Sequence, residues 1–150
     1  MQIREFKCEL WLPLPPVKLF EFFGDATNLD ALTPPWLHFN IVTPRPIPMK
    51  AGTLIDYRLR IHGIPIRWRT RINEWKPPHR FVDEQIRGPY RRWIHEHTFD
   101  ERDGGTLARD TVSYAVPFDL LTHHLFVKPD IERIFAFRSV ELFKRFSAAN

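Results

Sequence analysis

The sequence predicts an α+β fold in which a curved antiparallel sheet of about seven strands wraps around one long C-terminal helix. Three observations carry this. From Gly52 to Val116 apolar and polar residues alternate in successive runs, joined by turns too short for crossovers. From Asp130 the apolar spacing becomes helical, with Ile131, Ile134, Phe135, Arg138, Leu142 and Phe146 on one stripe that Val140 and Phe143 widen. Finally, 14 prolines in 150 residues demand many short elements with sharp ends.

The elements follow in order. Ile3 to Trp11 alternates as a first strand, stopped by Pro13, Pro15 and Pro16. Pro16 suits the first turn of a helix through Val17, Phe20 and Phe23, ended by Gly24. Asp25 can cap a second short helix through Leu29 and Leu32, stopped at Pro34-Pro35. Strands then follow over Trp36–Thr43, Gly52–Ile61, Ile64–Trp75, Arg80–Arg87, Tyr90–Phe99 and Thr106–Val116. His62-Gly63, Pro77-Pro78, Gly88-Pro89 and Asp103-Gly104-Gly105 separate the last five. Phe118–Val127 reads as an irregular loop packed on the sheet edge, or as a lid or apolar rim. Asp130, after Pro129, is the expected N-cap of a final helix of about 17 residues. Its apolar stripe must cover something, and the only large surface available is the concave face of the sheet.

Composition bounds the function. With 43% hydrophobic and 27% charged residues the chain reads as one globular domain, residues 1–150, and not as a disordered, collagen-like or coiled-coil protein. No apolar run has the length of a membrane helix, and the N-terminus has no signal-peptide core. A single cysteine, Cys8, excludes a disulfide framework and a cysteine-rich zinc site, and no activating base is visible beside it. A cytoplasmic location is expected. The net charge of +4 is a weak footprint for nucleic acid. Arg58, Arg60, Arg67, Arg69 and Arg71 alternate with apolar residues, as one solvated strand face would. No nucleic-acid partner and no stable membrane insertion are expected, and the protein would be a monomer or homodimer. No phosphate loop, serine elbow or HExxH motif is present.

The pleat assigns side chains to faces. Glu84, Glu96 and Arg109 join the arginines outside, while Tyr57, Leu59, Trp68, Thr70, Ile72, Trp93, Phe99, Val112 and Tyr114 turn under the helix. The informative residues are polar ones of inner parity: His95, His97, Asp110, Asp83 and Gln85. A buried carboxylate needs a donor, which a neighbouring histidine supplies. A plain core has no use for such a set, but a polar, partly wet cavity does. The excess of rings, 14% of the chain with 13 Phe, suits the walls of a cavity that a single helix cannot fill.

The order of elements resembles the helix-grip fold of the START-like (SRPBCC, Bet v 1-like) superfamily, nearly end to end. The resemblance is carried by Pro15-Pro16-Val17-Lys18-Leu19-Phe20-Glu21-Phe22-Phe23 and Leu29-Asp30-Ala31-Leu32-Thr33-Pro34-Pro35-Trp36. It is carried further by Trp93-Ile94-His95-Glu96-His97-Thr98-Phe99 and Asp110-Thr111-Val112-Ser113-Tyr114-Ala115-Val116-Pro117-Phe118. Within it the chain looks like the small bacterial proteins called ligand-binding or polyketide cyclase/dehydrase-like. Asp119 stands where such members often carry glycine. The resemblance implies a hydrophobic cavity between helix and sheet more strongly than it implies a reaction.

The expected ligand is a small hydrophobic or amphipathic molecule. The expected site is Tyr57, Leu59, Trp68, Thr70, Asp83, Trp93, His95, His97, Phe99, Asp110, Val112 and Tyr114 from the sheet, with Ile134, Phe135, Arg138 and Leu142 from the helix. If the protein is an enzyme, it would be a cyclase or dehydratase using His95 or His97 with Asp110. A third alternative is a protein-interaction module with a filled core. His95 and His97 flank one residue on a strand and share a face, but two ligands are too few for a metal, so no metal or cofactor is expected.

Overall fold

The chain opens with β1 (Arg4–Leu12), whose alternating burial follows the alternation of its sequence. The computed structural model describes residues 2–147. Helix α1 (Pro16–Phe23) starts at Pro16, where the missing N–H costs nothing, and buries Pro16, Leu19 and Phe20. Asp25 caps the 3-10 helix Ala26–Leu32 by accepting from the Thr27 amide. Six further strands follow: β2 (Asn40–Ile41), β3 (Leu54–Ile61), β4 (Ile64–Lys76), β5 (Arg80–Arg87), β6 (Arg92–Arg102) and β7 (Gly105–Ala115). They form one antiparallel sheet ordered β1-β7-β6-β5-β4-β3-β2. The β6–β7 hairpin turns at Asp103 (φ 51°) and Gly104 (φ 76°), the left-handed pair that a two-residue turn requires.

Three expectations are corrected. Trp36–Thr43 is not a full strand: Pro35–Leu37 forms a 3-10 turn, His38 is left-handed, and only Asn40 and Ile41 pair with β3. Strand β4 does not alternate to its end, because a bulge between Ile72 and Glu74 passes over Asn73 and turns Trp75 inward. Trp75 then packs on Phe20 and Phe81, with ring centroids 4.9 and 5.2 Å away.

The third correction concerns the C-terminal helix. The stretch before Asp130 is not a loop. After Phe118 (φ 55°) the chain is helical through α2 (Asp119–Thr122), a π-helical segment (His123–Val127) and α3 (Lys128–Phe146). Asp130 therefore lies inside the helix, not at its cap. It bonds His62 Nε2 at 2.8 Å and Arg133 Nη2 at 3.0 Å. Proline in a helix removes an i→i−4 bond and crowds the preceding turn, and the wider π turn just before Pro129 relieves both. His123, expected in a loop, is buried and bonds the Tyr114 hydroxyl at 2.8 Å, which ties this segment to β7. Asp119 takes a bidentate pair from Arg4, with N–O distances of 3.0 and 2.8 Å.

The helix does not press evenly on the sheet. Its C-terminal part closes a core of Leu12, Leu19, Phe20, Phe81, Phe99 and Leu142. Its N-terminal part covers Val112, Tyr114 and Val116 with Ile131 and Phe135. A third cluster joins Ala26 of the 3-10 helix to Ile41 on β2 and Ile55 and Tyr57 on β3. Among the described residues no helix is long and apolar enough to cross a membrane.

Candidate ligand cavity

Between α3 and the β3–β6 half of the sheet lies a cavity of about 660 Å³, inside the range of small-molecule sites. Its sheet wall includes Tyr57, Leu59, Trp68, Thr70 and Trp93, and α3 adds Ile134, Phe135 and Arg138. Asp83, His95 and His97 line it as well. Exposed His62, Gly63, Trp36 and Arg133 mark its mouth, and buried Thr70, Ile72, Phe81, His95 and His97 its floor.

The other candidates lie elsewhere. Phe99 and Leu142 belong to the core beside α1, while Val112 and Tyr114 lie in the core beneath the start of α3. Asp110 sits behind the histidines, with Cys8 Sγ 3.8 Å from its Oδ2. Gln85 clamps the β5–β6 turn by holding the carbonyl and amide of Tyr90. Phe22, Phe23, Asn28, Leu29 and Leu32 line the cavity from α1 and the 3-10 helix. That wall is absent from the expected site. The signal was Phe22, which falls off the Val17–Phe20–Phe23 stripe and needs cover of its own.

The strand register builds the polar floor. Asp83 stands opposite His95 across β5–β6, and His97 stands opposite Asp110 across β6–β7. The hydrogen bonds run diagonally: His95 Nε2 to Asp110 Oδ1 at 2.7 Å, and His97 Nε2 to Asp83 Oδ2 at 2.7 Å. An ionised carboxylate only accepts, so both imidazoles donate from Nε2. Arg138 completes the set from α3. Its Nη2 lies 3.4 Å from His97 Nδ1 and 3.6 Å from Asp110 Oδ1, and its guanidinium covers the Phe23 ring at 5.1 Å.

Burial pushes the Asp110 carboxyl up, but Arg138 and the two histidines outweigh it and hold the group well below the usual range. At Asp83 burial is likewise outweighed, here by His97, His95 and Arg138. Burial, then the neighbouring His97, lowers His95, which favours the neutral ring. Burial and the Asp110 carboxylate push the Cys8 thiol up to about 12, so it is no nucleophile.

The shifts of His95, Asp83 and Asp110 share a sign. His95 binds its proton less well folded than unfolded, so stability is lost as pH falls below about 6.5, the unfolded histidine value. The two lowered acids contribute stability above their unfolded value of about 4, lost as pH falls through their folded values. Urea midpoints measured across this range are expected to fall on acidification in two stages. The first stage should shrink in His95→Phe, with buried His123, also lowered by burial, supplying the remainder.

Asp83, His95 and His97 offer ligand atoms within 4.8 Å of one another, the composition of a two-histidine, one-carboxylate metal set. The rings are stacked, however, with centroids 3.6 Å apart and planes 26° apart. Lone pairs in near-parallel rings run side by side and do not converge on one ion. A metal would also displace the His97–Asp83 bond and face the Arg138 guanidinium. The stacked rings and the two carboxylates form one hydrogen-bonded group.

A family model described as polyketide cyclase / dehydrase and lipid transport matches residues 12–136. No protein of curated function matches the chain. Among solved structures, protein CV1439 from Chromobacterium violaceum superposes with a TM-score of 0.75 at 14% identity, covering 96% of this chain and 98% of that one. The major latex-like protein 151 from Panax ginseng superposes at 0.70 with 10% identity, covering 96% and 97%. A nucleoside-diphosphate sugar epimerase from Corynebacterium glutamicum reaches 0.69 at 25% identity, covering 93% of this chain but 28% of that longer one. The first two likenesses are likenesses of fold.

Proposed function

The chain belongs to the polyketide cyclase/dehydrase and lipid transport family, and from that premise we propose that it binds a small hydrophobic or amphipathic molecule between α3 and the sheet. The observation that supports this reading is the cavity itself: about 660 Å³ of space walled by rings, with polar groups gathered on its floor. A close-packed interior leaves few voids larger than a water molecule. Trp68, Tyr90 and Trp93 pack edge-to-face or tilted, with centroids 4.7–5.6 Å apart, and form a pre-shaped apolar wall. A filled core, on which an interaction module would rest, is not what this geometry favours.

A catalytic extension has one observation in its favour. His95, held neutral, lines the cavity, and its Nε2–H is oriented by a carboxylate. That is how a general base is prepared, and the reaction class would be enolisation or dehydration of a carbonyl compound.

The test is native mass spectrometry of the freshly purified protein, then thermal shifts against fatty acids, quinones, sterols and aromatic polyketides. A ligand that binds only the folded state adds about 2.7 kcal/mol at a hundredfold excess over Kd. A co-purified mass or a clear rise in melting temperature is expected. No bound mass and no shift across the panel would overturn the reading.

A further inference from the structure

At the Asp83–His95 end of the cavity floor the hydrogen-bond acceptors outnumber the free donors. His95 Nε2–H is spent on Asp110 and His97 Nε2–H on Asp83. The Arg138 Nη2 that faces His97 Nδ1 is 3.4 Å from it, and Arg138 Nε is buried without a partner. The acceptors are not used up. His95 Nδ1 is an open lone pair, 4.0 Å from Asp83 Oδ2 and so beyond hydrogen-bond distance. Asp83 Oδ1 makes no hydrogen bond among the described residues. Both residues line the cavity. Asp110 adds a second carboxylate behind the floor, and the one guanidinium, Arg138, is turned toward His97 and Asp110. Thr70, the next polar group on the floor, accepts from Trp68 Nε1 at 3.1 Å and keeps its own hydroxyl hydrogen.

A carboxylate and a ring nitrogen with spare lone pairs, backed by a second carboxylate, repel another anion and leave a ligand without a donor poorly matched. We propose that the floor at Asp83 and His95 selects an uncharged amphiphile that presents a hydroxyl group, a phenol or an alcohol, over a carboxylic acid or an ether of the same shape. The hydroxyl donates to Asp83 Oδ1 or His95 Nδ1, and the apolar body lies along Trp68, Trp93 and Phe135. This selection rests on the ligand-binding reading above and goes beyond it in naming the head group.

A matched set of probes tests it: 4-octylphenol, 4-octylanisole and 4-octylbenzoate, which share a body and differ only in the head. Their dissociation constants are measured by tryptophan fluorescence near neutral pH, where the phenol is uncharged and the benzoate is an anion. The phenol is expected to bind about tenfold tighter than either of the others. In His95→Phe, which keeps a ring in the stack, and in the near-isosteric Asp83→Asn, this preference is expected to shrink while affinity for the ether stays put. The two variants are independent, so a folding failure in one leaves the other to decide. Equal binding of phenol and ether, tighter binding of the benzoate, or a preference that survives both substitutions would overturn the selection and leave the cavity reading standing. No binding of these probes, with other amphiphiles still raising the melting temperature, would overturn the selection alone. No binding of any amphiphile would overturn both.

Discussion

Arg138→Met destabilises the fold by about 3–5 kcal/mol, the usual cost of removing one partner from a buried charge group. The reason is local. Arg138 is 8% exposed and approaches Asp110, which two histidines also contact. Methionine keeps most of the packing against Phe23 and Phe135 and removes the charge, so the loss reports electrostatics. The sign with pH separates this from a packing defect. Arg138 helps hold the Asp110 carboxyl low, and that contribution is present above the unfolded acid value of about 4 and lost as pH falls through the folded one. The penalty of the substitution is therefore largest near neutral pH and shrinks in acid. Urea denaturation of both proteins across this range is the measurement. A penalty that does not change with pH would assign Arg138 a packing role only.

Phe99→Ala costs about 3–5 kcal/mol, while Trp93→Ala costs distinctly less despite removing a larger side chain. Phe99 is 2% exposed and packs against Phe20 and Phe23, with ring centroids at 5.6 and 5.2 Å, so its removal leaves a closed void. Trp93 borders space that is already open, so fewer contacts are lost with it. The readouts cross: Trp93→Ala weakens amphiphile binding by more than Phe99→Ala does. Chemical denaturation and titration with a ligand found by thermal shift check the two halves. If Phe99→Ala unfolds too far for titration, Phe99→Leu serves at a smaller cost.

These contrasts show where the sequence was informative. Alternation at period two is a local property of the chain, so it located β3 to β7 and gave His95 and His97 a common face without any tertiary knowledge. The same parity placed Asp83 and Asp110 beside them, and the cost of burying a carboxylate implied that they would be paired. The helical stripe put Ile134, Phe135 and Arg138 over the sheet for the same reason. What parity leaves open is how far each inner residue lies from the helix axis. Phe99, Val112 and Tyr114 share the inner face of the sheet with the cavity wall, and Leu142 shares the helix stripe with Ile134 and Phe135, yet all four are core, because α3 touches β1 and β7 and stands off from β3 and β4.

Other features had no local signature. The bulge at Asn73 depends on how β4 must curve to pack Trp75 against Phe20. The diagonal exchange, in which each histidine bonds the acid that its neighbour faces, depends on side-chain rotamers that the stacked rings share. The early start of the helix at Asp119 depends on Arg4, over a hundred residues away in sequence, and on His123 docking onto Tyr114. Period, propensity and charge are carried by neighbours along the chain, so the sequence by itself determined the strands, their faces and the residue types that would need partners. Gaps, pairings and stand-off distances arise from elements meeting across the chain, so only the tertiary structure decided which inner residues border empty space and which acid each histidine holds.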